Sequence, residues 1–136
     1  MLIAAHRGEH ALHEVAIARL TALAEGDGPW AVPVYCVAEF LRVVTHPHVF
    51  TPPSDLTASL LFVDRLLESP TARLLVPHEQ FWSHLRLVCE QGNATGNLVF
   101  DAQIAAVCLE NGVSRLLTAD RDFTRFAGLS VDLLRA

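Results

Sequence analysis

The acids between Asn97 and Phe123 are the residues whose types and spacing suggest chemistry. Asp101 stands inside an apolar segment, and Asp120 and Asp122 flank Arg121 just beyond the short run Arg115-Leu116-Leu117-Thr118. Carboxylates are hard oxygen donors, and several brought together make a site for a divalent cation. Read as a helix that Asn97 caps and Asn111-Gly112 stops, the segment puts Asp101 on one face with Ile104, Ala105 and Cys108. Gln103 and Glu110 take the opposite side, so Asp101 is expected to face the protein, where a carboxylate needs a partner. Asp120 follows a strand, and acids at the carboxyl end of a parallel strand open into the crevice where such sheets bind ligands. Purely local roles stand beside this reading. An aspartate in a first helical turn complements the macrodipole, and Asp is a common turn residue.

Positioning these acids requires alternating strands and helices. Residues 2–24 read as one helix, with Ala11, Val15, Ala18 and Ala22 at helical spacing. His6, His10 and His13 then share a face, but no HExxH pattern accompanies them, and a solvated flank is the preferred reading. Residues 30–34 form a short buried strand, after which Val37, Phe40, Leu41 and Val44 make a helical stripe ended near Pro47. A stiff Pro-rich loop leads to a helix over 56–67, capped by Ser54 or Asp55, with Leu60, Val63, Leu66 and Leu67 inward. A strand over 73–76 and a helix over 78–91 with Phe81, Leu85 and Val88 as its core stripe come next, then a turn over 92–96. Strands over 114–118 and 130–134, with a helical turn over 121–126 between them, complete an α/β chain. Such alternation implies a mostly parallel sheet covered on both faces.

Composition narrows the function. The 136 residues suit one domain, and 51% hydrophobic content suits a globular core. Apolar runs are short and interrupted by charge, so neither a membrane span nor a secretory signal is expected, and a cytoplasmic location is the default. Cys36, Cys89 and Cys108 are odd in number and far apart, which suggests buried thiols rather than disulfides or zinc ligands. All ten basic residues are arginine, so a P-loop, a Schiff-base lysine and a receiver-type phosphorylation site are excluded. A net charge of −5 argues against bulk electrostatic binding of nucleic acid, though not against a nuclease whose acids hold cations.

Three stretches together carry a resemblance: Ala38-Glu39-Phe40-Leu41-Arg42-Val43-Val44-Thr45-His46-Pro47, Asn97-Leu98-Val99-Phe100-Asp101-Ala102 and Thr118-Ala119-Asp120-Arg121-Asp122-Phe123. In this order the chain resembles the PIN-domain ribonucleases, particularly the VapC-type toxins of bacterial toxin-antitoxin pairs. The resemblance implies a three-layer α/β/α sandwich, often dimeric, whose acidic site binds magnesium or manganese and cuts RNA. It also implies inhibition by a small cognate antitoxin. Position by position, Glu39 matches the family's second acid, Asp101 the third and Asp120 the fourth, with Asp122 a supporting acid. Asp101, Glu39 and Asp120 are thereby the expected metal ligands. The family's first acid stands in an Asp-x-Asn motif that ends a central strand. Met1-Leu2-Ile3-Ala4-Ala5-His6 matches only the segment that follows it, so this strand is expected to be truncated, with its aspartate upstream of Met1. The alternative this leaves open is a catalytically impaired PIN-like module that binds an antitoxin or RNA without turnover. A third reading treats every acid as a cap or a solvated charge.

Overall fold

The computed structural model describes every residue from Met1 to Ala136. By compactness the chain divides into two units, residues 1–74 with 135–136, and residues 75–134.

In the first unit, helices α1 (Leu2–His6) and α2 (His13–Glu25) replace the single helix expected over 2–24. The break follows from side chains competing for the backbone. His10 Nδ1 accepts the Leu12 N–H at 3.0 Å, and Gly8 lies between Arg7 and Glu9, which pair with each other. Arg7 also donates to Ser54 Oγ at 2.9 Å and to the Pro52 carbonyl at 3.1 Å, and its guanidinium lies over Phe50. The three histidines consequently share no face. His6 Nε2 meets Ser54 Oγ at 3.1 Å, and His13 Nδ1 meets the Ala4 carbonyl at 2.9 Å. Burial holds the His6 imidazole below its usual pKa, and neighbouring Arg7 adds to this.

Strand β1 (Trp30–Pro33) pairs with β2 (Ala72–Leu75). Helix α3 (Val34–Val44) buries Phe40 and Val44, as its stripe predicts, and packs on α1 and on α4 (Leu56–Leu67). Asp55 caps α4, accepting the Ala58 N–H at 3.0 Å. The inward face of α4 is shifted from the expected one. Leu60 is 44% exposed, whereas Ser59 is fully buried beside Val63, its hydroxyl donating to the Asp55 carbonyl at 2.8 Å. A hydroxyl satisfied by its own helix costs little to bury, so residue polarity alone misplaced this face.

The second unit is built on α5 (Phe81–Gly92) packed against α6 (Leu98–Glu110). Helix α5 starts three residues later than its apolar pattern suggests, because the residues before it serve Glu110. That carboxylate accepts the His78 N–H at 3.1 and 3.0 Å and the Gln80 N–H at 3.0 Å. Charged acceptors bind amides more strongly than neutral ones, although solvent screens this pair. Glu110→Ala is expected to lower stability by about 1–2 kcal/mol. Urea denaturation reads the loss, and an unchanged midpoint would show that the clasp contributes nothing.

Between the helices Asn93 takes the left-handed conformation, and its N–H reaches the Cys89 and Glu90 carbonyls. Asn97 stands at the N-cap of α6 but makes no side-chain cap, contrary to expectation. Its backbone is already helical. The amides of Leu98, Val99 and Phe100 are bonded to the carbonyls of Thr95, Gly96 and Asn97 at 3.1–3.2 Å. Helix α6 is also less one-sided than its pattern suggests, since Ala106 and Val107 are buried along with Ile104, Ala105 and Cys108. A helix apolar on several sides is a core helix. Burial pushes the Cys108 thiol up to about 11, so this sulfur is inert. All three cysteines are free, but Cys36 and Cys89 are only half-buried.

Strand β3 (Arg115–Thr118) runs parallel to β4 (Ser130–Leu133), with Arg115 opposite Ser130 and Thr118 opposite Leu133. Between them a 3₁₀ turn, Arg121–Arg125, packs on α6 and β4. The α/β class and the parallel pairing are as expected. The sheet is present as two two-stranded pieces, β1 with β2 and β3 with β4.

Candidate metal centre

Two elements of the second unit deliver the acids. Asp101 projects from the first turn of α6, half-buried, and Asp120 and Asp122 open from the end of β3, both exposed. One carboxylate oxygen from each lies within 4.8 Å of the other two. Residues nineteen to twenty-one positions apart along the chain thus form one acidic cluster.

Local bonding explains how the turn holds its pair. The Asp120 N–H donates to Thr118 Oγ1 at 3.1 Å, and Asp120 Oδ1 accepts the Asp122 N–H at 2.8 Å. Asp120 therefore caps the 3₁₀ turn, as a local reading predicts. The two roles are compatible, because a carboxylate has about four acceptor sites and the cap occupies one. Below the turn Phe123 and Phe126 are buried, with ring centroids 6.0 Å apart, and they fix its seat. Capping explains less at Asp101, where the first-turn amides of Leu98, Val99 and Phe100 already have carbonyl partners.

Three carboxylate oxygens are the donor set that magnesium and manganese prefer. Oxygens on opposite sides of an octahedral magnesium stand about 4.2 Å apart, given bonds of 2.0–2.1 Å. The observed spread is at most slightly wider, and two of the three side chains are exposed and able to close it. The residues therefore fit such an ion, with water completing its shell.

Asp122, expected only as a supporting acid, stands in the cluster with Asp101 and Asp120. The Asp-x-Asp spacing held the signal, since an aspartate that accepts the amide two residues on brings the second acid alongside. Glu39 lies in the first unit, on α3, exposed and 3.8 Å from Arg42 one helical turn away. Its charge also opposes the lowering of the Met1 amine pKa by burial. Two features had no place in the sequence reading. Arg121 and Arg125 are exposed cations on the acidic turn, and Phe100, beside Asp101, is an exposed aromatic.

Residues 1–129 match the PIN domain. Ribonuclease VapC43 of Mycobacterium tuberculosis and VapC ribonuclease Mb2897 of Mycobacterium bovis are each 39% identical to the chain over 129 residues, covering 95% of it and 87% of the relative. Ribonuclease VapC31 of Mycobacterium tuberculosis is 33% identical over 129 residues, covering 95% of the chain and 90% of the relative.

Proposed function

The chain belongs to the PIN-domain family, among its VapC-type ribonucleases, and from that premise we propose that it is a divalent-metal-dependent endoribonuclease, the toxin of a toxin-antitoxin pair. The observation that carries this reading is the meeting of Asp101, Asp120 and Asp122 within 4.8 Å. Asp101 and Asp120 are the proposed ligands of magnesium or manganese. Asp122 is a ligand or orients bound water, and Glu39 is a further acid on the strength of its motif. A bound divalent ion supplies Lewis acidity, polarising a phosphoryl oxygen and lowering the pKa of water.

The chain's own residues do the rest. Helix α6 holds Asp101 on a packed base, and the Thr118 and Asp122 contacts keep Asp120 aimed. Arg121, between two acids and exposed, offers a cation to the RNA backbone where the overall charge of −5 would repel it. The acidic surface suits a cationic segment of a cognate antitoxin. The proposed protein is a single PIN-like domain, homodimeric and cytoplasmic. No helix is long and apolar enough to cross a membrane.

Cleavage of RNA is expected with magnesium or manganese and is expected to vanish with EDTA. The ion should also stabilise the fold, by about 2.7 kcal/mol at 100 times its Kd. Protons compete for the same oxygens, so this gain is present at neutral pH and is lost in acid. Thermal melts with and without magnesium at several pH values check it. A melting temperature indifferent to the ion at neutral pH would remove the metal site. Ion-dependent stabilisation with RNA binding but no cleavage would favour the module without turnover.

A further inference from the structure

Phe100 is 63% exposed, one residue before Asp101 in the first turn of α6. Neighbouring Cα atoms are 3.8 Å apart, so this ring leaves the same turn of α6 as Asp101, the helix's contribution to the acidic cluster. Its flanks are polar. Asn97 and Gln103 lie three residues to either side, the spacing that puts side chains side by side on a helix, and they are exposed and half-buried respectively. An aromatic face bordered by two amides matches an unpaired nucleobase, which stacks on the ring and presents its edge to amide donors and acceptors.

We propose that Phe100 is the stacking platform for an unpaired base of the RNA next to the phosphate held at the acids, with Asn97 and Gln103 bordering that base. This rests on the ribonuclease reading and deepens it, making the substrate single-stranded at the cut. A paired base is stacked on its neighbours and has no free face to offer the ring. Phe100 is a residue of substrate binding, so its loss raises KM and leaves the chemistry at the acids intact.

The test is steady-state cleavage of a fluorescein-labelled single-stranded RNA in magnesium by the wild type and by Phe100→Ala, Phe100→Trp and Phe100→Leu. Phe100→Ala is expected to raise KM about 5- to 150-fold, as removal of a stacked aromatic does, with kcat nearly unchanged. Phe100→Trp keeps the π face and retains the wild-type KM. Phe100→Leu keeps apolar area without that face and behaves like alanine. An unchanged KM in Phe100→Ala, with the wild type active, would overturn the stacking role and leave the nuclease standing. Full function in Phe100→Leu would also overturn it, marking instead an apolar contact of the kind a protein partner makes. If the wild type does not cleave, the nuclease reading fails, and anisotropy with the same RNA still decides the inference. Weaker binding by Phe100→Ala than by the wild type supports it, and equal binding overturns it.

Discussion

Asp101→Asn is expected to lower divalent-dependent RNA cleavage by about 100-fold or more while leaving the protein folded. Losing a residue that merely supports a metal ligand typically costs 10- to 100-fold, and a direct ligand should reach at least the top of that range. The amide is nearly isosteric but neutral, so it removes the negative charge that attracts the ion. On stability, two small effects oppose each other. The neutral side chain gives up a favourable term with the helix macrodipole, about 0.3–1 kcal/mol, and relieves repulsion from Asp120 and Asp122. The amides of the first turn keep their carbonyl partners in either form. Initial cleavage rates beside a thermal melt separate the two effects. Full activity in a folded Asp101→Asn protein would remove this carboxylate from the site.

The largest loss of stability is expected from Phe126→Ala, about 3–5 kcal/mol, against a typical total of 5–15 kcal/mol. Phe126 is 2% exposed, stacks edge-on against Phe123 and lies over Gly92 of α5. Its removal opens a cavity under the turn that carries Asp122. Magnesium affinity should therefore fall along with stability. Gly92 supplies an internal control, since a Cβ there would meet two ring carbons of Phe126 at 2.9 Å. Gly92→Ala alone should be destabilising by about 1–3 kcal/mol. In the Phe126→Ala background the same methyl enters vacated space and should cost much less, a coupling that urea denaturation of the four proteins measures. Additive losses would mean that the two groups do not touch.

These cases show where sequence was informative. Asp55 is a good example of a legible residue. A side chain ahead of an apolar helical run has one nearby use, the free amides, and the structure puts it there. Asp120 was legible for the same reason, as an acid in a turn after a strand. Asn97 misled because an identical residue type can be pre-empted: a preceding turn had already bonded the amides it would have capped. The break after α1 was hidden because the helical spacing of apolar residues does not register side chains that compete for the backbone, and Arg7 there also reaches Ser54 and Pro52, more than forty residues away in sequence. Glu110 was read as a solvent-facing residue, yet it organises the start of α5 from thirty residues further on.

The sequence by itself determined the class of the protein and pointed to candidate acids. Helical and strand periods are local, and the three motif stretches lie within runs of ten residues or fewer. Tertiary structure alone decided that Asp122 joins Asp101 and Asp120 within a few ångströms, and that Phe100 beside them remains exposed. The first depends on how the turn and its two buried phenylalanines settle against α6. That packing is set by the shapes of residues distant along the chain, which local spacing does not encode.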